Sequence, residues 1–212
     1  MRWDILIVVG SELIAALAWI YHYRRLRERR FKFLAIYLCI IVGIEIVNLL
    51  LQSAFTAGMV DYFNIPLGLI FFICFLLPGP PKRERLIAAV FIALYMACFI
   101  AERLHLLLPP VNFDSLSYGV GNLLLIVALV MAIIKIFRGK DLEAHDQRML
   151  FRVILGLMIF YIGSFPYENF RNYLWSNRSY WPTAWVMHYT SQVFACLMYL
   201  MFAYALRWKN NS

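Results

Sequence analysis

Residues 22–32 carry six Lys or Arg side chains against a single acid, Glu28, and lie between two long apolar runs. Each run reaches the roughly 20 mostly apolar residues that a helix needs to cross about 30 Å of hydrocarbon. Short loops rich in Lys and Arg stay on the cytoplasmic side of a membrane. This segment therefore orients the first two spans and, by alternation, all later ones.

The composition agrees. The 212 residues are 63% hydrophobic and 15% charged, with a mean hydropathy of +0.71. Soluble domains average about 45–50% apolar and about 25% charged residues. The chain reads as all-α, a polytopic integral membrane protein, and as one domain over residues 1–212. Its net charge of +8 sits in short loops beside apolar runs, which serves topology and attraction to anionic headgroups rather than nucleic acid. Cys39, Cys74, Cys98 and Cys196 fall inside apolar runs without a C-x-x-C pair, the pattern of small packing residues. No cofactor motif occurs.

Seven segments have the length and polarity of a span: about 4–23, 33–55, 62–79, 86–108, 116–137, 149–170 and 182–206. Helix is the expected form, because lipid leaves no partner for unpaired backbone groups and no segment alternates as a barrel strand does. In the first run Asp4 precedes the apolar stretch, Glu12 lies within it and the arginines follow. That order is the reverse of a cleaved signal peptide and predicts a retained span with its N-terminus outside. A seven-span, N-out and C-in arrangement places sixteen of the twenty Lys and Arg residues inside. Arg2, Arg103, Arg171 and Arg178 remain on the other side. Pro78 to Pro81 ends the third span, and residues 108–115 form an outer turn with Asp114 or Ser115 as a cap. Residues 170–182 read as the longest outer loop, with aromatic side chains suited to the headgroup layer.

Ionisable groups within spans cost about 2.5–3.5 kcal/mol each on insertion scales, so they face the bundle interior and mark function. Glu12 lies near the middle of the first span. Glu45, Asn48 and Gln52 follow i, i+3, i+7 spacing on the second. Glu102 and His105 share a face of the fourth, Asn122 lies on the fifth, and His188, Ser191 and Gln192 lie on the seventh. Glu168 and Arg171 have the spacing of a surface pair. The predicted pocket is therefore Glu12, Glu45, Asn48, Glu102, His105, Asn122, His188 and Gln192, in the outer half of the membrane. The inner stretches 67–77 and 197–206 carry no ionisable side chain. A polar cavity open to the outside above an apolar plug is the expected arrangement.

Two further readings compete with a binding protein. A transporter suits the span count but needs a polar path through the inner half. An intramembrane metal-dependent hydrolase could use Glu102-x-x-His105, the i, i+3 spacing of carboxylate-bridged metal sites in bundles. Glu12, Glu45 and His188 would then complete the ligands around an activated water. Such centres use two of these motifs, and this chain has one.

Residues 64–67 (Asn-Ile-Pro-Leu), 118–124 (Tyr-Gly-Val-Gly-Asn-Leu-Leu), 159–166 (Ile-Phe-Tyr-Ile-Gly-Ser-Phe-Pro), 170–173 and 196–199 together resemble small seven-helix membrane proteins of Bacteroidota. The resemblance covers essentially the whole chain. It implies a bacterial inner-membrane location and carries no catalytic motif. Other seven-helix families fit poorly: residues 182–206 lack the lysine of retinal proteins, and no Pro-Gln pair of the sugar-carrier type occurs. The expected partners are the lipid bilayer, an external small molecule or lipid headgroup, and a cytoplasmic protein at the basic inner loops.

Overall fold

The computed structural model describes residues 3–51, 65–77, 82–104, 116–138 and 145–207. Among these, seven α-helices and two short 3-10 turns form, and no strand does. The helices are α1 (Trp3–His22), α2 (Arg29–Leu51), α3 (Ile65–Leu76), α4 (Lys82–Arg103), α5 (Leu116–Arg138), α6 (His145–Ser176) and α7 (Trp181–Ala205). Among the described residues, five helical segments are long and apolar enough to cross a membrane: Leu6–Arg25, Lys82–Arg103, Leu116–Arg138, Asp146–Arg171 and Arg178–Ala205. The described part of α3 is shorter and apolar throughout, and α2 has 23 residues. The predicted ends at Pro78–Pro81 and the cap at Asp114 or Ser115 lie outside the described residues.

The helices pack in a chain of neighbours. The α6–α7 pair is the most extensive; α7 also meets α1, α1 meets α2, α6 meets α5, and α5 meets α4. The central α3 packs on α4 and α5, and its rings reach α2 and α6. Phe71 stacks on Tyr37 with centroids 4.2 Å apart, and Phe72 meets Tyr161 edge-on at 6.4 Å. A helix that is hydrophobic all round belongs in an interior, and Leu69, Phe72 and Ile73 of α3 are buried.

In lipid, helix association depends on close backbone approach and dispersion, since lipid tails are as apolar as leucine. Small residues on α6 and α7 allow that approach. A Cβ added to Gly163 would stand 2.5 Å from the Phe194 ring, and one on Gly156 would stand 3.1 Å from the Met198 carbonyl oxygen.

One end of the bundle gathers the basic residues. Lys135 on α5 grips both carboxylate oxygens of Glu84 on α4, at 2.8 and 2.9 Å. Arg152 on α6 donates to the Tyr204 carbonyl at 3.3 Å and lies 4.6 Å above the Tyr204 ring. Both cations cross to a neighbouring helix. Glu28 pairs with Arg30 at the same end.

Two parts differ from expectation. Helix α6 runs on to Ser176 through Pro166, and a 3-10 turn (Arg178–Tyr180) leads straight into α7. The expected loop over 170–182 is thus almost wholly helical. Proline removes one backbone donor from a helix. On either side of it, the Ser164 hydroxyl donates to the Phe160 carbonyl and the Asn169 amide to the Phe165 carbonyl, each at 2.7 Å. The second difference is Glu102 of α4, expected in the pocket, which instead accepts from the Ser117 backbone N–H at the start of α5, at 2.9 Å.

Candidate functional site

A cavity of about 350 Å³ opens among α1, α2, α6 and α7, with Phe72 of α3 in its wall. Of the eight predicted pocket residues, Glu12, Glu45 and Gln192 line it. Glu12 comes from the middle of α1 and is 6% exposed. The Tyr199 hydroxyl of α7 hydrogen-bonds its carboxyl group, while Glu12 Oε2 has no hydrogen-bond partner among the described residues. Glu45 of α2 is half-buried and close enough to Glu12 for their charges to interact.

The third carboxyl group is Glu168, which the sequence pattern suggested as a surface partner of Arg171. It lines the cavity and accepts from the Ser191 hydroxyl of α7 at 3.1 Å. Tyr37, Tyr161 and Tyr199 complete the polar lining and were also missed. A spacing signal existed: Tyr161 and Glu168 are seven apart on α6, as are Gln192 and Tyr199 on α7, so each pair shares a helix face.

Glu102, Asn122 and His188 lie elsewhere. Glu102 is at the junction of α4 and α5, holding the Ser117 amide. A carboxylate at a helix start satisfies an orphan amide and faces the positive end of the helix dipole. Asn122 is buried on α5 beside Tyr118, to which it hydrogen-bonds. His188 sits in an aromatic cluster: its Nδ1 lies 3.0 Å from the Tyr167 hydroxyl, and Trp185 meets it edge-on at 6.0 Å. Asn48 lies in α2 one turn beyond Glu45, and His105 lies outside the described residues. Sequence spacing assigned these groups to helix faces, but only packing decides which faces look into the same space.

The separation also bears on metal chemistry. Glu102 and His188 belong to different contacts from Glu12 and Glu45, so these four described residues do not gather into one mononuclear site. Among the described residues no three His, Cys, Asp or Glu side chains gather in a ligand geometry.

Below the cavity, toward the basic end, the bundle closes. Trp19, Phe31, Leu34 and Phe202 are fully buried there. Trp19 Nε1 donates to the Phe202 carbonyl at 3.0 Å, and Trp19, Phe31 and Phe75 pack ring to ring. Phe75 and Phe202 come from the stretches 67–77 and 197–206 read as apolar, and Tyr199 of the second stretch instead lines the cavity and bonds Glu12. Outside it, between α2 and α3, a separate apolar groove of about 790 Å³ carries Arg29 and Arg30 at one end.

No protein-family model, curated protein or solved structure matches the chain.

Proposed function

We propose that the chain is a seven-span protein of a bacterial cell membrane, N-terminus out and C-terminus in, which binds a small external molecule between α1, α2, α6 and α7. The observation that carries this reading is the polar cavity lined by Glu12, Glu45, Glu168 and Gln192 above the sealed layer of Trp19, Phe31 and Phe202. Buried ionisable groups are expensive in a membrane and are retained where they serve a site. A cavity closed toward one face suits binding and signalling better than passage. Gathering of Lys135, Arg152 and residues 24–32 at the opposite end supports the orientation, since Lys and Arg favour the cytoplasmic side. The likeness to small Bacteroidota proteins remains part of this proposal, as does a cytoplasmic partner at the basic loops.

The test is labelling from outside in intact cells. In a chain whose four free cysteines, Cys39, Cys74, Cys98 and Cys196, are replaced by alanine, Gln192→Cys should react with small membrane-impermeant thiol reagents added externally. Reaction only after the cytoplasmic face is opened to reagent would sink the proposed orientation. Reporter fusions after residue 28 and after residue 176 should report cytoplasmic and external positions respectively.

A further inference from the structure

We infer that the cavity selects a small organic cation, an amine or quaternary ammonium group. This rests on the binding reading above and adds the chemical class of the ligand.

The wall decides the sign of the charge. Three carboxyl groups, Glu12, Glu45 and Glu168, enter from α1, α2 and α6, and among the described residues no Lys, Arg or His lines the space. An anion would meet carboxyl groups from three helices, and a low-dielectric wall magnifies repulsion between like charges. A cation finds the reverse. A cleft lined by one sign of charge between low-dielectric walls concentrates the opposite ion and raises its arrival rate.

The rings decide the kind of cation. Tyr37, Phe72, Phe160, Tyr161, Tyr199 and Phe202 form much of the remaining wall. Aromatic faces attract cations through the ring quadrupole, and aromatic cages are a common solution for quaternary ammonium groups. A bare divalent metal calls instead for converging oxygen or nitrogen ligands, and the described residues present no such group. The volume, about 350 Å³, falls at the small end of the roughly 300–1,000 Å³ range of ligand pockets. It suits one compact molecule and excludes a peptide.

Glu12 is the side chain that points most directly to an absent partner. It is 6% exposed, one oxygen is held by Tyr199, and Oε2 has no hydrogen-bond partner among the described residues. Buried polar atoms are almost always satisfied by protein or by something bound. An ammonium N–H donor, or a methylated nitrogen carrying full positive charge, supplies what that oxygen lacks. Glu45 stands nearby as the second carboxyl group, and Gln192 and Ser191 add polar contacts from α7.

The experiment uses the full chain carrying Gln192→Cys, with Ala195→Cys as a second position, in the cysteine-free background. Two impermeant reagents of similar size are compared, a trimethylammonium methanethiosulfonate and a sulfonated one. The expected result is a cation-over-anion rate ratio at least about tenfold above that of free cysteine. Tetramethylammonium chloride should slow the reaction and sodium acetate should not. Glu12→Gln together with Glu45→Gln should bring the ratio back toward that of free cysteine. In parallel, tetramethylammonium should raise the melting temperature of the natural chain in nanodiscs of zwitterionic lipid, which covers failure of the cysteine variants to fold. Equal labelling by both reagents, unaffected by tetramethylammonium, would leave the cavity standing and overturn the cation. Labelling by neither reagent at either position, with no melting shift, would overturn the cavity reading itself.

Discussion

Trp19 of α1 and Phe202 of α7 are joined by an indole N–H to carbonyl hydrogen bond of 3.0 Å, and both side chains are fully buried. The contact sits beneath the polar cavity and couples the first helix to the last. Trp19→Phe keeps most of the ring packing and removes the donor, which should cost about 1 kcal/mol. Trp19→Ala also opens a void and should cost about 3–5 kcal/mol. Thermal unfolding in detergent measures both, and equal losses would show that the hydrogen bond contributes nothing beyond packing.

The α6–α7 interface depends on the missing side chain at Gly163. A Cβ there would press on the Phe194 ring at 2.5 Å, so Gly163→Val should destabilise by about 1–3 kcal/mol through overpacking. Adding Phe194→Ala should recover part of that loss, because the two positions share one space. A double-mutant cycle reads the coupling, and strict additivity would refute the contact.

Glu102 and Glu12 should separate stability from binding. Glu102→Ala removes the acceptor of the Ser117 amide at the start of α5 and should cost about 1 kcal/mol, as loss of a helix cap does. The tetramethylammonium shift should survive it unchanged. Glu12→Gln should weaken that shift while leaving the fold intact. Loss of the shift in the Glu102 variant would mean that this carboxylate acts on the cavity after all.

Arg152 closes the C-terminal end of α7. It donates to the carbonyls of Tyr204 and Arg207, at 3.3 and 3.5 Å, and lies over the Tyr204 ring. Cations near a helix C-terminus satisfy its orphan carbonyls and favour its dipole. Arg152→Met should speed amide exchange over residues 203–207. Arg152→Lys should restore only part of the protection, because an ammonium lacks the planar fork that reaches two carbonyls at once. Unchanged exchange in both variants would remove this role.

Glu168 and His188 mark where sequence legibility ended. Glu168 with Arg171 at i, i+3 has the spacing of a pair on one helix surface, and nothing within α6 contradicts that. It becomes a cavity residue because Ser191 of α7 approaches it. His188 follows the same stripe as Ser191 and Gln192 on α7, yet its ring turns to Tyr167, Trp185 and Tyr189. A helical stripe about 100° wide can border two different spaces. Its members are divided between them by side-chain direction and by the neighbour each meets.

An all-helical, lipid-compatible chain with basic residues gathered beside its apolar runs was legible from residue order alone. Those features follow from composition, run length and the position of the charges, which act locally or through the solvent. Even Glu12, Glu45 and Gln192 were legible, because an ionisable or amide group within an apolar run has nowhere else to face. Tertiary structure alone decided that Glu168 joins them, that Glu102, Asn122 and His188 do not, and that three tyrosines complete the wall. Those assignments depend on the rotation of each helix about its axis and on which helices touch. Both are set by close packing at positions such as Gly156 and Gly163, where a fraction of an ångström between distant parts of the chain determines the fit.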